Sequence, residues 1–337
     1  MKAMILAAGY GTRIRPVTYT LPKPMVPVCN RPLIAYAVDA FLGAGIRDIV
    51  VNVHHLPDAI ESALRLRYAG ECRFDFSFEP EILGTGGGVR KVRSLLDGGE
   101  FLLVNADTIQ FPRWEDLLQA RRERDSLAAL TLRHPPAGDR FTPVYLENGL
   151  VTGFGTGRGE ALMFSGSHAI SPRIFEHLPD KPFSGIVDEV YQPLITSGRE
   201  TVAGPVNDGL WFDIGNPPRY MGASRALLDL TANGDLVAVE GSRVDGDSLV
   251  AESSRGRVSH STLGERSVVE GQVHDSVIWN DCHIAGGVRL EGCIVAHGVE
   301  IRHDSEYRNV LICRDDPAIP RDAPYRFENG LVLADIG

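Results

Sequence analysis

The first 24 residues constrain this chain more than any other stretch. Lys2-Ala3-Met4-Ile5-Leu6-Ala7-Ala8 is an apolar run with no charge after Lys2, the pattern of a strand buried on both faces. Gly9-Tyr10-Gly11-Thr12-Arg13-Ile14-Arg15-Pro16 follows, and then Pro22-Lys23-Pro24. Glycines directly after a buried strand let a backbone approach a ligand where a side chain would block it. Arg13, Arg15 and Lys23 place three cations in one loop, and successive backbone N–H groups can form an anion nest, so the stretch points to a polyphosphate site. Two familiar phosphate loops are excluded. A dinucleotide fingerprint needs Gly where Ile14 stands, and a Walker A loop needs a Gly-Lys-Ser/Thr that is absent.

Length and charge narrow the rest. With 337 residues the chain is expected to form two domains, and its net charge of −10 argues against nonspecific binding to nucleic acid or anionic membranes. A negatively charged substrate must then be met by local cations, and lysine occurs only at 2, 23, 91 and 181, which sets Lys23 apart. No run of 18 apolar residues and no signal-peptide pattern is present, so a cytoplasmic location is expected. Cys29, Cys72, Cys282, Cys293 and Cys313 show no paired spacing and read as reduced structural thiols.

Strand and helix patterns alternate through the first hundred residues. Helical spacing at Ile34, Val38, Phe41 and Leu42 is followed by an apolar strand over 48–53 and a helix opening at Pro57-Asp58. A strand through Phe74, Phe76 and Phe78 ends at Glu79 and runs into Leu83-Gly84-Thr85-Gly86-Gly87-Gly88, with a short helix expected over 89–96. A fourth strand, 101–104, ends at Asn105-Ala106-Asp107. Such alternation gives a doubly wound α/β sheet, whose ligand lies beyond the carboxyl ends of the strands. The first glycine loop, Glu79 with its glycine cluster, and Asp107 all fall on that edge.

Farther on, Asn148-Gly149 between apolar stretches marks a hairpin, and glycines at 153, 155, 157 and 159 precede Met163-Phe164-Ser165-Gly166. Trp211-Phe212-Asp213 ends a strand, with Asn216 the expected N-cap and Pro217 at N1 of a helix reaching about residue 229. Residues 231–235 read as a linker. Beyond Gly241, apolar positions such as Val269, Val273, Ile284 and Ile301 recur at intervals of four to seven, near the step of a parallel β-helix; a β-sandwich is the alternative. Phe327 to Val332, with Asn329-Gly330, is a second hairpin, read as a cap over the end.

The pattern Gly-x-Gly-Thr-Arg-x-Arg-Pro with Pro22-Lys23-Pro24 beyond it resembles the signature of the sugar-1-phosphate nucleotidyltransferases, over about residues 1–230. The resemblance implies a Rossmann-like, doubly wound mixed-sheet catalytic domain over residues 1–232. A left-handed parallel β-helix with a capping tail would follow over 233–337. It implies transfer of a nucleotidyl group from a nucleoside triphosphate to a sugar 1-phosphate with Mg2+ as cofactor, and homo-oligomers formed through the β-helix.

By that resemblance, Arg13 and Lys23 are catalytic. Ala8, Gly9, Gly11, Thr12 and Arg13 contact nucleotide, with Glu79, Gly84, Thr85, Gly86 and Gly87 on its base and ribose side. Asn105, Gly166 and Asp188 lie on the sugar-phosphate side, and Asp107 and Asp213 hold the metal. Many relatives grip the sugar phosphate with a Glu-Lys pair ahead of the segment at Gly166; here no lysine stands between Arg133 and Gly166, and Arg158 is the substitute. The run from Glu79 to Gly88 looks most like the mannose-1-phosphate guanylyltransferase branch. Uridylyl or thymidylyl transfer to a glucose-type or N-acetylmuramate 1-phosphate, and a noncatalytic nucleotide-sugar sensor, are the alternatives. His54 and His55 read as packing residues rather than metal ligands, for want of partners at ligand spacing.

Overall fold

The computed structural model describes residues 1–136, 138, 140–236 and 241–337, so residues 237–240 of the expected C-terminal domain lie outside the described ones. By contacts the chain divides into two units, Met1–Gly9 with Ile34–Trp211, and Tyr10–Leu33 with Phe212–Gly337. By this grouping the segment Tyr10–Leu33 and the helix after Asp213 fall with the C-terminal strands. The reason is visible in side-chain bonds that no sequence spacing reveals. Tyr220 Oη donates to the Pro27 carbonyl and accepts from Trp279 Nε1, and Asn30 Nδ2 donates to the Leu263 carbonyl at 3.0 Å.

The first unit is built on one nine-stranded sheet. Its strands are β1 (Lys2–Leu6), β2 (Asp48–Val53), β3 (Arg73–Phe78), β4 (Phe101–Asn105), β5 (Ala128–Arg133), β6 (Val144–Glu147), β7 (Leu150–Phe154), β8 (Glu160–Ile170) and β9 (Val202–Ala203). They lie in the order β3-β2-β1-β4-β8-β5-β9-β7-β6. β3, β2, β1 and β4 are mutually parallel, whereas β8 runs antiparallel to both β4 and β5. The sheet is therefore mixed. Met4, Val50, Leu103 and Leu130 lie on one face and are fully buried in the core with Val89, Val190 and Tyr191, which explains why these strands read as apolar runs. Helices α1 (Leu33–Gly43) and α2 (Pro57–Arg67) fall where the periodicity placed them. β6 and β7 form the expected hairpin, with Asn148 at φ 53° and Gly149 at φ 77°, the left-handed pair that a tight two-residue turn requires.

One helix starts earlier than its composition suggests. α3 spans Gly84–Lys91 and a separate helical turn covers Arg93–Leu96, so the expected 89–96 stretch is helical in two pieces and the glycine cluster lies inside a helix rather than in a loop ahead of it. Four glycines in eight residues oppose helix formation by about 1 kcal/mol each, and the sequence pattern accordingly starts at Val89. Contacts from residues 182–186 reverse that preference. The amides of Gly86 and Gly87 donate to the Ser184 carbonyl at 2.8 and 3.3 Å, and Ile186 N donates to Thr85 Oγ1 at 2.8 Å.

In the second unit, α4 (Pro217–Ala232) is capped by Asn216, whose side chain accepts from Arg219 N at 3.0 Å, with proline in its first turn. It extends through Ala232, into the stretch read as a linker. The C-terminal strands pair in parallel in three stacks. One passes through Ser248–Ala251, Thr262–Leu263, Val277–Ile278, Ile294–Val295 and Val310–Arg314. The second joins Val268–Val269, His283–Ile284 and Glu300–Ile301, and the third Gln272–His274, Val288–Glu291 and Ser305–Arg308. Three parallel stacks are compatible with a β-helix and incompatible with the antiparallel pairing of a sandwich. Leu249 pairs with Thr262, Thr262 with Val277 and Ile294 with Leu311, so a coil takes 13, 15 or 17 residues, and the irregular apolar step follows from that variation. The last coil is closed by the hairpin: Leu331–Asp335 lies antiparallel on Val310–Arg314, covering an edge that would otherwise offer unpaired N–H and C=O groups.

Candidate active site

In the first unit, three adjacent strand ends are tied together by one polar relay. Ala7 N–H, just past β1, donates to Asn52 Oδ1 at 2.8 Å; Asn52 Nδ2, near the end of β2, donates to Glu79 Oε1 at 2.8 Å; and Leu83 N donates to Glu79 Oε2 at 2.9 Å. His54 Nδ1–H donates to the Glu79 carbonyl at 2.7 Å, which gives this histidine a bracing role. Asn52 and Glu79 are 3% and 0% exposed, so the relay is internal. It fixes where the chain leaves β1 into Ala8 and Gly9, at the carboxyl edge where an α/β sheet receives its ligand.

Glu79 therefore has a different place from the one expected. With both carboxylate oxygens bonded inside the protein and no exposed surface, it positions the loop and does not present an oxygen to a ligand. Asn52, absent from the expected site, is the hub of the relay. Its one sequence signal is a polar amide near the end of an otherwise apolar strand.

The glycine cluster is also placed differently. A Cβ on Gly84, Gly86 or Gly87 would stand 2.6, 2.7 or 2.3 Å from the Ser184 carbonyl, the Ser184 hydroxyl or the Pro182 carbonyl. Gly84, Thr85, Gly86 and Gly87 thus form a packing seam against residues 182–186, and the amides of Gly86 and Gly87 are already used there. A Cβ on Gly9, by contrast, would meet nothing within 4 Å.

On the same edge, Asn105 ends β4 and Asp107 stands two residues beyond it. A Cβ on Gly166 would lie 3.1 Å from Asn105 Nδ2, a tight contact, and its φ of +102° is one that side chains rarely adopt. Asn105 and Gly166 are thus brought together. Asp188 is exposed on a π-helical turn, Val187–Tyr191. Arg158 is exposed in the connection between β7 and β8; its N–H donates to Thr152 Oγ1, and that hydroxyl donates to the Arg158 carbonyl. Its guanidinium makes no ion pair with any described residue.

The second unit holds the cations. Gly11 has φ +62°, and a Cβ there would lie 2.7 Å from Lys23 Cβ, so the loop closes against the stem of that lysine. Thr18 Oγ1 braces the turn by donating to the Gly11 carbonyl at 2.8 Å. Thr12 and Arg13 sit in a short 3-10 turn. Arg15 points elsewhere, its guanidinium 4.4 Å over the Tyr19 ring, so it serves the loop's packing. Near α4, Asp213 accepts from Arg219 Nη1 at 2.5 Å, while Arg13 Nη1 and the Asp213 carboxylate both crowd the space over Gly215, 3.0 and 2.8 Å from where its Cβ would stand. The sequence reading did not single out Arg219; it stands in the first turn of α4, six residues after Asp213.

Among the described residues no group of three or more His, Cys, Asp or Glu side chains could hold a metal ion, which excludes a protein-only cage of the zinc type. Magnesium has a different demand, one or two carboxylates with substrate oxygens and water completing the shell. Asp107 and Asp213 are hard oxygen donors of that kind, and Arg219 bonds Asp213 at Oδ2. The five cysteines are free, and burial pushes Cys29, Cys282 and Cys313 up to about 12, so these thiols stay protonated.

The mixed sheet and the relatives together show the class: the chain is a sugar-1-phosphate nucleotidyltransferase. Residues 2–154 match the nucleotidyl transferase family. Mannose-1-phosphate guanylyltransferase 1 of Arabidopsis thaliana is 28% identical over 318 residues, 90% of this chain and 83% of the relative. A UTP–glucose-1-phosphate uridylyltransferase of Synechocystis is 28% identical over 334 residues, 86% of each chain. Crystalline HddC from Yersinia pseudotuberculosis, complexed with GMP-PN, shares the fold with a TM-score of 0.58 at 22% identity, over 67% of this chain and 99% of its own. No helix among the described residues is long and apolar enough to cross a membrane.

Proposed function

We propose that this enzyme makes a nucleoside-diphosphate mannose from GTP and mannose 1-phosphate, in a Mg2+-dependent reaction. The observation that carries the reading is the Ala7–Asn52–Glu79 relay, which holds the start of the glycine loop open at the strand edge. The guanylyltransferase names of the plant relatives supply the base and the sugar. A uridylyl transfer, favoured by the Synechocystis relative, is the second reading. The C-terminal stacks are read as the left-handed form of the β-helix.

In the proposed step an oxygen of the sugar 1-phosphate attacks the α-phosphorus of the triphosphate. A new P–O bond forms there, and the bond from that phosphorus to the oxygen bridging the α- and β-phosphates breaks to release pyrophosphate. A phosphomonoester has lost most of its second proton at neutral pH, so no general base is needed. What the reaction needs is positioning and compensation of negative charge. Ala8, Gly9, Gly11 and Thr12 bind nucleotide through the backbone. Arg13 holds the departing phosphates, and Lys23, buried to 8% exposure, neutralises charge at the α-phosphate. Asn105, Gly166, Asp188 and Arg158 face the sugar phosphate. Asp107 and Asp213 would hold Mg2+, which when bound supplies charge neutralisation to phosphate oxygens.

Pyrophosphate release measured over four triphosphates and several sugar 1-phosphates tests the reading. GTP with mannose 1-phosphate should give the highest kcat/KM. A clear preference for UTP or dTTP would transfer the assignment to the second reading, and no release with any pair would overturn both.

A further inference from the structure

The third stack of the C-terminal unit carries a cavity that the reaction does not use. It has a volume of about 590 Å³ and lies across four coils, at residues 257–259, 272–274, 289–291 and 306–308. Volumes of 300–1,000 Å³ are typical of small-molecule sites. Val273, Leu290 and Tyr307 point into the unit's core at 4%, 2% and 8% exposure, so strand alternation sends their neighbours outward. Gln272 pairs with Arg289 and Arg289 with Glu306, and Ser259 bridges to His274, which places Arg257, Gln272, Arg289 and Glu306 in one column.

The charges in this cavity do not cancel. Arg308 reaches Glu306 at 2.6 Å and Glu291 at 3.5 Å, so the two carboxylates share one arginine. Arg257 and Arg289 make no hydrogen bond or ion pair with any described residue. On a chain of net charge −10, three arginines against two carboxylates in one concavity are a local excess of positive charge. Rungs about 4.8 Å apart put them roughly 10 Å apart at their Cα atoms, with Gln272 between, and flexible arginines at that separation can converge on two phosphoryl groups. His274 adds a ring held at Nδ1 by Ser259 Oγ at 2.9 Å, which leaves Nε2 for a ligand oxygen.

We propose that this cavity is a second, noncatalytic site for a small bisphosphorylated metabolite, held by Arg257 and Arg289 with Gln272 and His274 beside them. The proposal is independent of which triphosphate and sugar the enzyme uses. The test is titration of the full chain with 2,3-bisphosphoglycerate, which carries two phosphoryl groups and no base or sugar, followed by calorimetry and by the arginine side-chain N–H signals in 1H–15N spectra. Wild-type protein should bind with Kd below ~1 mM and shift the signals of Arg257 and Arg289. The Arg257→Gln/Arg289→Gln double variant should lose binding at least about tenfold, with unchanged turnover in the absence of the probe. Equal affinity in the double variant, or no binding by the wild type at about 20 mM, a concentration beyond weak millimolar affinity, overturns the proposal.

Discussion

Two glycine-rich stretches of this chain look alike in sequence and do opposite things in the structure. At Gly9 an added Cβ would meet nothing, while at Gly84, Gly86 and Gly87 it would strike backbone or hydroxyl oxygen at 2.3–2.7 Å. The space over the first glycine is open. The others close space, letting a helix lie directly against residues 182–186. Gly11 is intermediate, since its left-handed φ and the stem of Lys23 each exclude a side chain. Glycine content alone therefore marks close approach, and only the identity of the approaching atoms separates a ligand cradle from a packing seam.

The largest expected effect lies on the open side of that contrast. Lys23→Ala should lower kcat by about 10²–10³-fold, the range for loss of one preorganised charge-stabilising group, and Asp107→Asn should do at least as much. Melting temperatures should stay near wild type. A fall confined to KM for the sugar phosphate would mean that Lys23 serves binding and not the transition state.

On the closed side the sign is reversed. Gly87→Ala forces a methyl group to within 2.3 Å of the Pro182 carbonyl, and a backbone oxygen cannot swing away as a side chain can. A loss of about 1–3 kcal/mol is expected in denaturant unfolding, with substrate KM values little changed in the protein that remains folded. If Gly87→Ala were as stable as wild type but failed to bind nucleotide, the cluster would return to the base-side role read from the sequence. Glu79→Gln probes the joint between the regions. The substituted amide must turn an NH2 toward a donor at either Asn52 Nδ2 or Leu83 N, at a cost of about 1–3 kcal/mol. Because the relay sets the exit of β1, nucleotide KM should rise along with the loss of stability.

The same contrast shows what was legible in the residues. Strands β1, β2 and β4 could be read because buried parallel strands are continuous apolar runs, β3 because its phenylalanines alternate, and both Asn-Gly hairpins because two successive left-handed residues admit few others. Asn216 and Pro217 announced α4 for equally local reasons. The missed features depend on partners distant in sequence. The start of α3 is hidden because its glycines are stabilised by Ser184, about 100 residues away, and the internal bonding of Glu79 is hidden because nothing near it in sequence names Asn52 as its partner. Arg219 shares Asp213 with the space that Arg13 enters, a convergence over 206 positions that only coordinates display. Likewise the grouping of the glycine loop with the C-terminal unit rests on Tyr220, Trp279 and Asn30, whose bonds join residues far apart in the chain.

The smallest effect is also the most discriminating. Gly9→Ala adds one methyl group where no atom lies within 4 Å, at a residue whose φ does not require glycine, so unfolding should shift by no more than about 0.5 kcal/mol. If the empty space is where a phosphate meets the backbone, the methyl group must push that phosphate outward, and KM for the triphosphate should rise about tenfold, equivalent to ~1.4 kcal/mol, with KM for the sugar phosphate unchanged. Should Gly9→Ala bind triphosphate as well as wild type, the space over Gly9 would be solvent and not a subsite, and the distinction between the two sets of glycines would reduce to packed against unpacked. Equal losses for both substrates would instead place the methyl group in the path of the whole reacting complex. Only a selective loss for the triphosphate, with stability intact, fits a loop whose glycine is kept for a ligand.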